Sequence, residues 1–212
     1  MENTVLKTLE AIKANRMDAY YAENKQEALE TVLSLIEKDN SIASGGSMTL
    51  KEIGLIDALK TQGYDYWDRA DIKDPADYPA FFRKSLTADV YLSSSNAITE
   101  NGELYNVDGN SNRVAAMLYG PKSVIVVAGV NKIVKDLDEA ALRVKTVAAP
   151  LNTKRLSKKT YCAEKGICVK IDGDLSCGCS SPDRICRNFV VMGPQAQVGR
   201  VKVSLVNENL GY

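Results

Sequence analysis

The chain contains no histidine. That absence excludes every nucleophile activated by an imidazole base and every metal held by imidazole nitrogens. Acid–base chemistry is left to Asp, Glu, Lys, Tyr or Cys, and a metal would need thiolates or carboxylates. Net charge is lacking too: 27 Lys and Arg balance 27 Asp and Glu. A balanced chain offers no general footprint for nucleic acid or for an anionic membrane surface. No apolar run approaches the ~18 residues that suggest a membrane span. The opening stretch MENTVLKTLEAIKANRMD is polar and helix-patterned, unlike a secretory signal. A soluble, cytoplasmic protein is the expectation.

What is present fits a globular domain. The chain has 212 residues, of which 45% are hydrophobic and 25% charged, enough to bury a core without disulfides. Val5, Leu6, Leu9 and Ile12 recur at helical spacing. Asn24 followed by Glu27 reads as a helix cap, with Leu29, Val32, Leu33 and Ile36 as the stripe behind it. Met17–Ala22, Ser41–Ser44, Tyr64–Trp67, Asp89–Ser93, Glu103–Val107, Phe189–Met192 and Val201–Val206 read as strands. Thr49 with Glu52 predicts a capped helix running to about Thr61, ended by Gly63. Further helices are expected around Ala80–Leu86, Arg113–Tyr119 and Asp136–Ala149, the last closed by Pro150. Residues 68–79 read as loop. The apolar, β-branched run Ser123–Ala128 is the mark of a strand buried on both faces. Alternating strands and helices predict an α/β fold with a mostly parallel central sheet flanked by helices. The expected organisation is one domain over 1–212, with a helical segment over 1–38 and a cysteine-rich insertion over 160–187.

Three places could carry chemistry. The first is the strand–turn–helix unit of Ser44, Gly45, Gly46, Ser47 and Thr49. Glycines there would let an anion approach backbone N–H groups, and hydroxyls would add donors. Ordinary helix capping explains the same residues. The second is the stretch from Ser93 to Arg113, rich in amides and carboxylates: Asn96, Thr99, Glu100, Asn101, Gly102, Gly109, Asn110 and Arg113. Ligands of α/β sheets bind beyond the carboxyl ends of strands. Glu100 is the candidate nucleophile or base. A plain hairpin would also use Asn101-Gly102, with both residues at positive φ. The third is the set of five cysteines within 25 residues. Four thiolates, Cys162, Cys168, Cys179 and Cys186, with Cys177 as a substitute, could hold zinc or an iron–sulfur cluster. Redox-labile or buried thiols are the alternative.

The run ADVYLSSSNAITENGELYNVDGNSNRVAAMLYGPKSVIVVAGVNKIV resembles the LUD-domain, lactate-utilisation (LutC/YkgG-like) family. The resemblance rests on Ala88-Asp89, Asn96-Ala97-Ile98, Glu100, Gly102, Gly109-Asn110, Arg113 and Asn131-Lys132-Ile133-Val134. Upstream, Gly45-Gly46-Ser47-Met48-Thr49 with Glu52 and Gly54 fits the family's first βα turn. The segment Ser181-Pro182-Asp183-Arg184-Ile185-Cys186 looks like a cysteine-containing subgroup. The resemblance implies a Rossmann-like fold shared with ribose-5-phosphate isomerase, glucosamine-6-phosphate deaminase and type I CoA transferases. It implies an association with lactate oxidation and with iron–sulfur oxidoreductase partners. Thr99-Glu100-Asn101-Gly102 also resembles the Ser-Glu-Asn-Gly motif of CoA transferases, whose Glu becomes an acyl thioester.

The expected site is therefore a pocket between the Ser44–Thr49 turn and the Asn96–Arg113 loops. It would bind a small anionic metabolite, with Arg113 or Lys132 neutralising the charge. A homo-oligomer is compatible with this fold.

Overall fold

The computed structural model describes residues 3–212. Helix α1 (Asn3–Ala14) buries Val5, Leu9 and Ile12, while Leu6 stays half exposed. Strand β1 (Asp18–Ala22) leads to α2 (Lys25–Ser34). The Asn24 side chain accepts the Glu27 N–H at 3.0 Å, and the Glu27 carboxylate accepts the Glu23 N–H at 2.8 Å. The expected reciprocal cap thus forms, with its return bond one residue early.

Strand β2 (Ser41–Ser44) is followed by two helices, α3 (Met48–Glu52) and α4 (Leu55–Thr61). The sequence predicts one helix capped by Thr49, and both parts are corrected. Ser47 is the cap, accepting the Leu50 N–H at 3.3 Å. Gly54, at φ 73°, turns the backbone out of the helical path and splits the helix. Strand β3 (Asp65–Trp67) and two 3-10 turns, Arg69–Asp71 and Pro75–Asp77, precede α5 (Tyr78–Ser85).

Next come β4 (Val90–Ser93), β5 (Ala97–Thr99), β6 (Leu104–Asp108), α6 (Asn112–Leu118) and β7 (Ser123–Gly129). After β8 (Ile133–Val134), α7 (Leu137–Arg143) continues through a π-helical turn, Val144–Ala148, into α8 (Ala149–Arg155). Pro150 does not close the helix as expected. It lies in the first turn of α8, directly after the π-helical turn that interrupts the regular ladder of the helix, and the chain stays helical past it. A short helix, α9 (Tyr161–Lys165), opens the cysteine-rich segment, and β9 (Asn188–Met192) and β10 (Val201–Val206) complete the chain.

The main sheet has six strands in the order β1-β10-β7-β4-β2-β3, and every pairing in it is parallel. Strand β7 lies inside it. Val124, Val126 and Ala128 face one core layer with Leu9, Ile12 and Tyr91, and Ile125 and Val127 face the other with Val32, Leu50 and Leu59. Burying each of the β-branched side chains of β7, Val124, Ile125, Val126 and Val127, is worth about 1.5–3 kcal/mol. A second, mixed sheet, β8-β5-β6-β9, was not predicted. Its strands β5 and β8 hold three and two residues, too short to show alternation.

The Asn101-Gly102 turn is also corrected. Only Gly102 has positive φ, 77°, and its N–H bonds the Thr99 carbonyl at 2.8 Å. A Cβ on Gly102 would stand 2.5 Å from the backbone of Ala11 and Ile12, so the turn is pressed against α1.

Candidate functional site

A cleft of about 400 Å³ opens beyond the carboxyl ends of β2, β4 and β7. The chain leaves β2 for β3 on one side, and leaves β4 for β7 on the other. Adjacent strands whose connections diverge leave a crevice at their carboxyl ends, the usual ligand position of an open α/β sheet. Gly46 and Ser47 from the turn after β2, Ser94 to Asn96 after β4, and Lys132 after β7 meet there.

The lining is strongly cationic although the chain is neutral. The sheet side contributes Arg69, Arg113 and Lys132, and α8, the loop after it and the cysteine-rich segment contribute Arg155, Lys158, Arg184 and Arg187. Among the described residues two carboxylates, Asp108 and Asp183, share the lining. Asp183 is drawn off by the Lys159 N–H at 2.8 Å. Asp108 stands 3.5 Å from Arg113.

Arg113 is a strut. Its guanidinium donates to Asn106 Oδ1 at 2.6 Å, Val107 O at 3.0 Å, Asn96 Oδ1 at 3.2 Å and Ser94 O at 3.2 Å. It thus ties the loop after β4 to β6. Gly45 is small because a Cβ there would lie 2.9 Å from the Arg113 side chain. Arg184 and Arg187 likewise hold backbone carbonyls of the cysteine-rich segment. Arg69 differs: among the described residues its guanidinium makes no hydrogen bond or ion pair, and it borders Gly46 at the cleft mouth. The Asn112 amide is also without a partner there.

Lys132 forms the floor. It is 2% exposed, and its ammonium donates to Thr49 Oγ1 and Ser94 Oγ, both at 2.9 Å. Burial, and then the charges of Arg143 and Arg113, push its pKa down to about 7, with Glu52 opposing weakly. Behind it passes the chain segment 210–212: a Cβ on Gly211 would lie 3.4 Å from Lys132 Nζ. Tyr212 lines the cleft, its hydroxyl accepting from Arg155 at 2.6 Å.

Of the residues singled out in the sequence, Gly46, Ser47, Asn96, Gly109, Asn110, Arg113 and Lys132 line this cleft. Thr49 sits just behind, holding Lys132. Ser44 is turned to the Tyr66 hydroxyl at 2.7 Å. Thr99, Glu100, Asn101 and Gly102 are not brought to the cleft, which corrects the expected catalytic placement. Glu100 pairs with Lys7 of α1 at 2.6 Å, Thr99 bonds Glu103 at 2.8 Å, and the Asn101 carbonyl accepts from Asn15. The packing of Gly102 on α1 fixes the whole turn outside. The cations Arg69, Arg155, Lys158 and Arg187 escaped the sequence reading, because isolated charges in irregular segments look like solvated surface.

The five cysteines line one small apolar pocket, with Tyr105, Phe189 and Val144 among its walls. Among the described residues no three Cys, Asp or Glu side chains are arranged to hold a metal ion. The expected ligand set of Cys162, Cys168, Cys179 and Cys186, or Cys177, thus shares one pocket, but as arranged here its thiols do not form a coordination group. Cys162 is buried and engaged by the Thr153 and Thr160 hydroxyls at 3.4 Å. Lys145 and Arg184 instead hold the segment through backbone carbonyls, among them Asp174 O at 2.9 Å and Cys186 O at 2.7 Å.

The family model described as the LUD domain matches residues 5–206. The structure is similar to that of a DUF162 family protein from Deinococcus radiodurans, with a TM-score of 0.55 and 14% identity over 96% of this chain and 95% of that one. A weaker likeness is to ribose 5-phosphate isomerase A from Methanocaldococcus jannaschii, with a TM-score of 0.37 and 11% identity over 82% of this chain and 80% of that one. No curated protein matches the chain.

Proposed function

Because the chain belongs to the LUD-domain family, we propose that its basic cleft binds a small anionic metabolite, a carboxylate or phosphorylated compound. In this reading the protein is an accessory component of lactate or related organic-acid oxidation, working with iron–sulfur partner proteins. One observation carries the ligand class: among the described residues six cationic side chains besides Lys132, and two carboxylates, line the cleft of a chain that is neutral overall. Such a cleft focuses positive potential and draws anions. Arg69 and Asn112 supply donors that no other described residue uses. The partner and pathway are carried by the family resemblance. A cytoplasmic location belongs to the same reading; among the described residues no helix is long and apolar enough to cross a membrane. A CoA-transferase route through Glu100 gains nothing from this geometry, since that carboxylate is paired on another face.

Calorimetric titration with lactate, pyruvate and sugar phosphates tests the proposal. Removing one charge-assisted hydrogen bond in Arg69→Gln costs about 1.5–3 kcal/mol and weakens binding roughly 10–100-fold. Equal affinity in wild type and variant, or no heat with any anion, contradicts it. Copurification with iron–sulfur proteins from the native source tests the partner class.

A further inference from the structure

We infer that Lys132 is a nucleophile, condensing with the carbonyl of an anionic oxo compound, a 2-oxo acid or a phosphorylated aldehyde or ketone, to form an imine. This rests on the reading of the cleft as an anion site and adds the reacting group to it.

The geometry is unlike that of a structural lysine. A buried ammonium normally faces a carboxylate, because an unpaired charge is costly to bury. Among the described residues Lys132 pairs with none. Its partners are two hydroxyls, Thr49 and Ser94, each at 2.9 Å. The guanidiniums of Arg143 and Arg113 disfavour a third positive charge, and Glu52 opposes them weakly. The amine thus gives up its proton close to neutral pH, far below an ordinary lysine, and the deprotonated form is the nucleophile. Thr49, Ser94 and Gly211 close around it on the protein side, so a ligand reaches it from the cleft. The cations along the cleft hold the ligand's anionic group while its carbonyl faces the amine.

The step balances within these groups. The Lys132 lone pair attacks the carbonyl carbon and a C–N bond forms. The carbonyl oxygen leaves as water, taking both amine protons, and a C=N bond remains. The Ser94 hydroxyl is placed to relay a proton between nitrogen and oxygen. No oxidant or reductant is consumed. The fit of a carbonyl ligand also explains why the floor is an amine and hydroxyls, when a plain anion site would gain more from a permanently charged arginine.

The test is trapping. Wild-type protein is incubated with pyruvate, or separately with dihydroxyacetone phosphate, and sodium cyanoborohydride, then weighed intact and mapped by peptide mass. The expected result is one reduced adduct per chain, located on Lys132, with one of the two ligands clearly preferred. That preference separates a 2-oxo acid from a phosphorylated ketone. The adduct is lost in Lys132→Arg, which keeps a cation, and in Lys132→Met. Labelling rises with pH to a plateau just above neutrality, whereas adventitious labelling of surface lysines keeps rising toward about pH 10.4. Calorimetry with the same ligands, without hydride, reads binding separately. Binding without a Lys132 adduct, or adducts scattered over surface lysines, overturns the imine and leaves the anion site standing. No binding and no adduct overturns both.

Discussion

Lys132 Nζ and Ser94 Oγ lie 2.9 Å apart, although 38 residues separate them in the chain. Thr49, a further 45 residues before Ser94, completes the cluster at 2.9 Å from the same nitrogen. The three side chains follow β7, β4 and β2, which are neighbours in the sheet. Strand order therefore assembles the cleft floor from turns that are distant in sequence. Burial of the amine among cations then sets its protonation.

Lys132 should leave a pH signature on stability. The folded chain releases this proton near pH 7, while the unfolded chain keeps it to its ordinary value near 10.5. Between those values the unfolded state binds more protons, so stability rises with pH, by up to about 1.4 kcal/mol per unit. Urea unfolding of wild type against Lys132→Met at several pH values checks this. The difference should grow in favour of wild type as pH rises from about 7 to 9; a parallel pair of curves contradicts it.

Arg113→Met should damage fold and cleft together. The substitution leaves Asp108 without its cation and removes the guanidinium donor from Asn106 Oδ1, Val107 O, Asn96 Oδ1 and Ser94 O, of which Asn96 keeps the Val107 N–H and Ser94 keeps the Ser93 hydroxyl. Breaking a buried network of this kind costs roughly 3–5 kcal/mol. Chemical denaturation gives the loss directly, and Arg113→Lys should recover only part of it, because one ammonium cannot span four acceptors.

Glu100→Gln should change little. Its partner Lys7 is 60% exposed, and such pairs contribute about 0–1 kcal/mol. Anion affinity should match wild type in calorimetry. A large loss of affinity would return the Thr99–Gly102 turn to the functional site.

Gly102→Ala, in the same turn, should instead destabilise by roughly 2–4 kcal/mol. Its Cβ would enter the backbone of α1 at 2.5 Å, at φ 77°. A thermal melt reads the cost. Ligand affinity in the surviving folded protein should be preserved, which separates a packing role from a binding role.

Much of the fold was legible because its signals are local. The β-branched run of β7, the Asn24 cap and the Gly63 stop each act through neighbouring residues. Strands β5 and β8 were not legible, since their stability comes from pairing with β6 and with each other. The site divides the same way. Gly46, Ser47, Asn96 and Arg113 stand where strands end, and that position can be read from the pattern. The address of Asn101-Gly102 is set by contact with α1, and the cationic wall is set by how the cysteine-rich segment folds back over β6. Neither has a periodic signal. Thr49 shows a subtler case: its sequence context suggests a cap, yet its hydroxyl is spent on Lys132 because Ser47 caps first.

The cysteines should react unequally. Cys162 is buried, and burial pushes the Cys186 thiol pKa up. Timed alkylation with mass mapping should modify both more slowly than Cys177 and Cys179, since the thiolate is the reacting form. For Cys186 the rate should climb well above neutral pH.

The central claim, that the basic cleft is the ligand site, is tested most directly by backbone amide NMR during titration with pyruvate and with lactate. The account predicts shifts centred on Gly46, Ser47, Asn112 and Lys132, saturating with ligand and weakened in Arg69→Gln. Shifts confined to the Glu100 turn or the cysteine pocket, or an unchanged spectrum at saturating ligand, would contradict it.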